Sequence, residues 1–200
     1  MRVYMKTKCR VIVPCVGQTQ KPKNRTNGDM NLKQVIRSVP DFPVEGVMYK
    51  DVTSILETPK AFDYSVERIL QYCASNVITD IVAPDARGFL WASPVARELG
   101  LPLHMVRKPG KLPPPVRSQS YDYEYSSGVL EIKADAPLNV NSNVCIIDDV
   151  SATGGTALAI VDLLRTFEVV DMSYACVIDL AFLGGTASLD MDTFSVVTYE

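Results

Sequence analysis

The sequence predicts an α/β fold, a parallel sheet core flanked by helices. Three observations carry this. Short apolar runs at 77–84, 101–108, 144–148, 172–183 and 193–199 read as buried strands. Helix-like patterns follow the first and third of them, so strand–turn–helix recurs along the chain. The turns between strand and helix, "DARG" at 85–88 and "VSATGGT" at 150–156, are built of small and polar residues.

The elements follow in order. Leu32, Val35, Ile36 and Val39 have helical spacing, and Pro40 ends that turn. A Pro- and Gly-containing loop over 40–56 passes into a short apolar stretch. Thr58 can cap a helix with Pro59 at its first position, and Phe62, Val66, Ile69, Leu70 and Cys73 give that helix an apolar face. A second helix runs over 89–99 with Gly100 as its stop. Pro94 should kink it or mark its true first turn. Four prolines in "PGKLPPPVRSQS", 109–120, mark an irregular loop. "YDYEYSS" and "GVLEIKAD" form a hairpin, and a last helix covers about 155–167.

At 200 residues the chain is long enough for one domain with a sizeable core. No apolar run reaches about 18 residues, so no membrane span is expected. Five scattered cysteines and one histidine, His104, give no metal-ligand spacing and no disulfide framework, which fits a reduced, cytoplasmic compartment. His104 sits within a strand pattern and is expected to be a packed or edge residue.

The net charge of −3 is uneven: residues 1–29 sum to +6 and residues 30–200 to −9. The acidic body argues against a nucleic-acid surface. The basic segment, 1–29, is expected to be a solvated, partly disordered extension of a single domain over 30–200. A packed strand over 11–16, a targeting peptide, or sequence upstream of a start at Met30 are the alternatives.

The densest chemistry lies in "VCIIDDVSATGGTALAI", 144–160. Asp148 and Asp149 end a buried strand, where ligands of parallel sheets sit. The backbone amides of the next turn and the start of its helix can hold a phosphate, and Gly154 and Gly155 allow close approach. Lys is missing after the second Gly, which excludes the ATPase phosphate loop, and no G-x-G-x-x-G is present. Anions beside an anion site make sense when they face sugar hydroxyls or a bound Mg²⁺. The stretch therefore reads as a sugar-phosphate grip. The plainer alternative is a capped helix with Asp149 in solvent.

This pattern resembles the phosphoribosyl-diphosphate motif of the type I phosphoribosyltransferases. Further segments, in order, resemble the adenine-specific branch of that family: "PDFPVEGVMYKDVTSIL", "IVAPDARGF", "VRKPGKLP", "SYDYEYSSGVLEIKADA", and "VIDLAFLGG" with the ending "FSVVTYE". The resemblance implies a type I phosphoribosyltransferase-like sheet with a small N-terminal hood. It implies transfer of the 5-phosphoribosyl group from phosphoribosyl diphosphate to adenine, giving AMP and diphosphate with Mg²⁺, in a cytoplasmic homodimer of purine salvage. Another purine such as xanthine or hypoxanthine, or a non-catalytic phosphoribosyl-diphosphate-binding regulator, are the other readings.

Residue by residue, the resemblance assigns Asp148 and Asp149 to the ribose hydroxyls, directly or through water and metal. The Mg²⁺ would be held mainly by the substrate. Ala152, Thr153, Gly154, Gly155 and Thr156 would hold the 5-phosphate. Asp85, Ala86, Arg87 and Gly88 would lie under the diphosphate, against the alternative of an Asp85–Arg87 surface pair; the family usually has Glu at Asp85. Arg107, Lys108 and Lys111 would neutralise the leaving group, unless they are only a solvated turn. Arg87, Lys108 and Glu124 are the catalytic candidates. Glu124 would manage the proton lost by the base and Tyr125 would cap the site, unless both are exposed hairpin residues. Val47, Met48, Tyr49 and Lys50, with Arg87, would form the adenine pocket, unless the hood residues are plain core. Lys50 stands where Arg is expected, and Lys50 and Asp51 could serve structure or orient Arg87.

Overall fold

The computed structural model of the protein describes residues 30–123 and 126–200. The described chain opens with one 3-10 turn, Leu32–Gln34, and a short strand β1, Arg37–Val39. The helical spacing expected over 32–39 is thus realised as a single turn. A segment this short cannot offset the cost of helix nucleation, and Pro40 pushes Val39 to extended backbone. Leu32 and Ile36 are still buried, whereas Val39 is exposed. β1 pairs antiparallel with β2, Tyr49–Asp51, placing Val39 opposite Tyr49 and Arg37 opposite Asp51. This pair and the loop between its strands form the hood.

A short helix α1, Thr53–Leu56, leads to α2, Pro59–Ser75. Thr58 is the extended N-cap residue and Pro59 opens α2, although the Thr58 side chain makes no capping bond. Ala61 and Ser65 lie on the buried face of α2 with Ile69, Leu70 and Cys73, while Phe62 and Val66 are half-buried. Ser65 matters because its hydroxyl accepts the indole N–H of the fully buried Trp91 at 2.8 Å. A buried indole needs such a partner.

Strand β3, Asp80–Pro84, feeds α3, Gly88–Leu99, and then β4, Leu103–Val106. A Cβ at Gly88 would lie 2.9 Å from the Ile147 carbonyl oxygen, so only glycine lets α3 start this close to the sheet. Pro94 lies inside α3 and is not its first turn. Gly100 ends the helix with φ +68°. The hairpin consists of β5, Val116–Tyr123, and β6, Ser126–Lys133. β5 begins inside the stretch expected to be loop. Its Arg, Ser and Gln residues give a polar pattern, but their backbone groups are paired along β6.

The remaining elements are β7, Asn143–Ser151, α4, Gly155–Arg165, β8, Asp171–Leu180, and β9, Asp192–Tyr199. The sheet order is β4-β3-β7-β8-β9, and every pairing is parallel. Period-two alternation sends Ile81, Cys145 and Ile147 into the core under α2 and α3. Val82, Val144 and Ile146 face the other side, against α4 and the hairpin. Helices therefore cover both faces. After β3 the chain goes first to β4 on one side and later to β7 on the other. The order reverses between β3 and β7, and a ligand crevice is expected beyond their carboxyl ends. Among the described residues no helix is long and apolar enough to cross a membrane.

Candidate active site

Both strand ends at this reversal carry the residues singled out above. Asp148 and Asp149 are buried near the end of β7. The Asp149 N–H donates to Asp148 Oδ1 at 2.8 Å. Burial first, and then the neighbouring Asp149 charge, push the Asp148 carboxyl well above the usual carboxylate range. Residues 150–157, with Asp148 and the buried Tyr174, line a pocket of about 200 Å³. Gly154 has φ +81° and leads into α4. Ala152, Thr153, Gly154, Gly155 and Thr156 thus surround one cavity at a helix N-terminus.

The glycine at 154 has a reason the sequence did not reveal. A Cβ there would lie 2.7 Å from the Gly185 carbonyl oxygen and from Ser188 Oγ. The tight approach is to a neighbouring protein segment, so this glycine answers to the fold as well as to any ligand.

Arg87, at the end of the β3 turn, reaches both halves of the site. Its Nε lies 2.6 Å from Asp149 Oδ2, an ion pair whose angles do not make a hydrogen bond. Its Nη1 donates to the Tyr49 hydroxyl at 2.8 Å. Partial burial opposes the Arg87 charge, but Asp149, Tyr49 and Asp148 outweigh it and raise its pKa. The Asp85–Arg87 surface pair does not form; Asp85 instead accepts from Arg107 Nε at 3.1 Å. Ala86 and Gly88 complete the turn between the two, with a cis peptide before Ala86.

In the hood, Val47 and Met48 are exposed. Tyr49 packs edge-on against Phe42, with ring centroids 5.0 Å apart. Phe42 belongs to the hood segment quoted above, but nothing in its spacing marks it as the partner of Tyr49; it sits seven residues away and is brought in by the loop, where its N–H donates to the Val47 carbonyl. Lys50 does not orient Arg87. Its ammonium donates to Ser38 Oγ at 2.8 Å and lies 4.5 Å from the centre of the Tyr199 ring. Asp51 is likewise engaged, by Arg37 and Thr53. Of the two roles weighed for Lys50 and Asp51, these contacts are the structural one.

The cationic turn is tied down at three points. Arg107 exchanges backbone hydrogen bonds with Glu131 of β6. Its Nη1 donates to the Lys111 carbonyl at 3.1 Å. The Gly110 N–H donates to Glu131 Oε2 at 3.1 Å. Lys108 and Lys111 are exposed, and neither forms an ion pair among the described residues. Glu131 is a residue that sequence reading missed, since an alternating strand gives no hint of which acid reaches a loop. Glu124 and Tyr125 lie outside the described residues, as does the extension 1–29. His104 is packed on β4, 2.9 Å from Asp80 Oδ1 and away from this site.

Comparison with known proteins gives a consistent picture. The family described as "Phosphoribosyl transferase domain" matches residues 51–195. An adenine phosphoribosyltransferase of Pectobacterium carotovorum is 44% identical over 158 residues, 79% of this chain and 85% of that protein. The crystal structure of adenine phosphoribosyltransferase from Thermoanaerobacter pseudethanolicus superposes with a TM-score of 0.78 at 40% identity, covering 84% of this chain and 98% of that one. The enzyme of Giardia lamblia, solved with 9-deazaadenine, gives a TM-score of 0.77 at 32% identity over 84% and 96% of the two chains. With a parallel sheet whose order reverses at the paired acids and the glycine loop, and with relatives this similar along most of their length, the chain belongs to the phosphoribosyl transferase family, among its adenine phosphoribosyltransferases.

Proposed function

We propose that the protein transfers the 5-phosphoribosyl group of phosphoribosyl diphosphate to adenine, forming AMP and releasing diphosphate. The observation that carries this reading is the two-part grip at the end of β7. Asp148 and Asp149 stand beside a pocket whose floor is the 150–157 loop. The names of the relatives support adenine as the acceptor.

In the reaction the bond from ribose C1 to the diphosphate oxygen breaks, and its electron pair leaves with diphosphate. A base nitrogen supplies the pair for the new bond to C1, and the base loses a proton. The ribose passes through an oxocarbenium-like state, as in glycoside cleavage. Asp148 and Asp149 hold the ribose hydroxyls, and Asp149, which faces Arg87, places negative charge near the developing cation. The amides of 152–156 hold the 5-phosphate. Lys108 and Lys111, carried on the 107–111 turn, meet the leaving diphosphate together with Arg87 and Arg107. Closure of that turn and the hairpin over the donor excludes water. Glu124 takes up the proton of the base, and Tyr125 covers the site. Val47, Met48 and Tyr49 form one wall of the adenine pocket, with Arg87 linking that wall to Asp149.

Mg²⁺ fits this donor set. Asp149 Oδ2 is buried without a hydrogen bond but is faced by the Arg87 guanidinium at 2.6 Å, so the ion would be reached through water, and no cluster of three or more His, Cys, Asp or Glu able to cage a metal occurs among the described residues. Two carboxylates suit an ion that keeps water and phosphate oxygens as its main ligands. When bound, it supplies charge neutralisation for the diphosphate. A cytoplasmic homodimer is the assembly that the family resemblance supports.

The test is turnover of phosphoribosyl diphosphate and Mg²⁺ with each purine in turn. AMP formation with adenine and little turnover of hypoxanthine or xanthine is expected. Turnover with another purine alone transfers the proposal to that base. Donor binding without turnover of any base indicates a regulator.

A further inference from the structure

The 5-phosphate loop is backed by a segment that lies behind the site and does not line its pocket. After β8 the chain makes two short 3-10 turns, Ala181–Leu183 and Thr186–Ser188, separated by Gly184 and Gly185. Gly185 lies so close to the loop that a Cβ would sit 2.3 Å from the Ala152 carbonyl oxygen and 2.8 Å from Gly154 N. The contact is mutual, because a Cβ at Gly154 would meet the Gly185 carbonyl oxygen. Backbone therefore rests directly on backbone. The backing segment is itself fixed: Ser188 Oγ donates to the Gly185 carbonyl at 2.7 Å, and the Ser188 N–H donates to the Gly184 carbonyl.

One buried side chain ties this segment to the sheet. Asp179, at the end of β8, accepts a hydrogen bond from the Thr186 hydroxyl at 2.9 Å. Asp179 is only 6% exposed, and its other oxygen, Oδ1, has no hydrogen-bond partner among the described residues. It stands in register with Ser151, the residue that opens the loop on β7. Burying a carboxylate with so few partners is costly. An apolar residue would serve the core better at a strand end. We infer that Asp179 and Thr186 are positioning residues, which hold the 184–188 segment against residues 152–154 and so set the amides that bind the 5-phosphate. This inference rests on the reading of 152–156 as the 5-phosphate loop. An amide cradle loses affinity when it is misplaced by about an ångström, so a brace behind it acts on the phosphate end of the donor alone.

The experiment compares the binding of two probes, ribose 5-phosphate and inorganic diphosphate, to the wild type and to Thr186→Val. The variant should bind ribose 5-phosphate about tenfold more weakly. It should bind diphosphate as the wild type does. In turnover, KM for phosphoribosyl diphosphate should rise with KM for adenine unchanged, and Thr186→Ser should restore both readouts. Where Thr186→Val fails to fold, Thr186→Ala removes the same hydroxyl with less disturbance and carries the same expectation. Equal weakening of both probes, or unchanged ribose 5-phosphate binding, overturns the brace. A wild type that does not bind ribose 5-phosphate at all overturns the reading of the loop beneath it.

Discussion

Asp148 and Asp149 are neighbours in sequence with different surroundings. Asp149 faces the Arg87 guanidinium, whereas Asp148 is enclosed and its carboxyl is pushed toward the protonated form by burial and by Asp149. The raised pKa has a consequence for stability. In the unfolded chain Asp148 ionises near the ordinary carboxylate pKa of about 3.9. In the folded protein it keeps its proton to higher pH, so its contribution to stability falls as pH rises from that value toward the folded pKa. Asp148→Asn should therefore raise the melting temperature of the free protein at neutral pH, and the gain should disappear below about pH 4, where both states are protonated. The same variant should lose affinity for phosphoribosyl diphosphate. A melting curve series across pH checks the first effect, and a gain that persists unchanged at low pH would contradict burial of the carboxyl as its cause. Adjacent acids at the end of an apolar run were legible as a site because no core has a use for them. Their partner was not legible. Arg87 could have paired with Asp85 two residues away, and only the folded chain brings it to Asp149 and Tyr49 instead.

Among the elements, the 107–111 turn and the hairpin act as one piece. Glu131 holds the Gly110 N–H with its carboxylate and Arg107 with its backbone. Motion of β6 therefore carries Lys108 and Lys111 with it. Glu131→Gln keeps the shape but weakens a charge-assisted bond. It should lower kcat severalfold while leaving ribose 5-phosphate binding intact, which steady-state rates and titration of that probe would show together. Equal losses in both would mean that Glu131 supports the fold at large. Sequence patterns were most informative for elements with long, regular burial. β3 and β7 are buried almost throughout, and their apolar runs mark both strands within a few residues. They failed where local pattern and tertiary pairing disagree. Residues 32–39 have helical spacing but end in a strand paired with β2. The polar start of β5 reads as loop until its pairing with β6 is seen.

At the scale of the molecule, the site exists because the strand order reverses between β3 and β7 and because the hood reaches over that point. Arg87 joins the two parts, through Tyr49 of β2 and Asp149 of β7. The hood, proposed to carry the base wall, and the core, proposed to carry the sugar grip, are thereby set at a fixed mutual position, which a bimolecular transfer requires. The sequence showed both parts as separate segments more than ninety residues apart; their joint was a property of the fold alone. The measurement that tests the central claim most directly is product stoichiometry in a reaction with limiting adenine, Mg²⁺ and excess phosphoribosyl diphosphate. One AMP and one diphosphate should appear for each adenine consumed, and replacing Asp148 and Asp149 together by Asn should abolish both products in a protein that still folds. Diphosphate released without AMP, or wild-type rates in the double variant, would contradict the account.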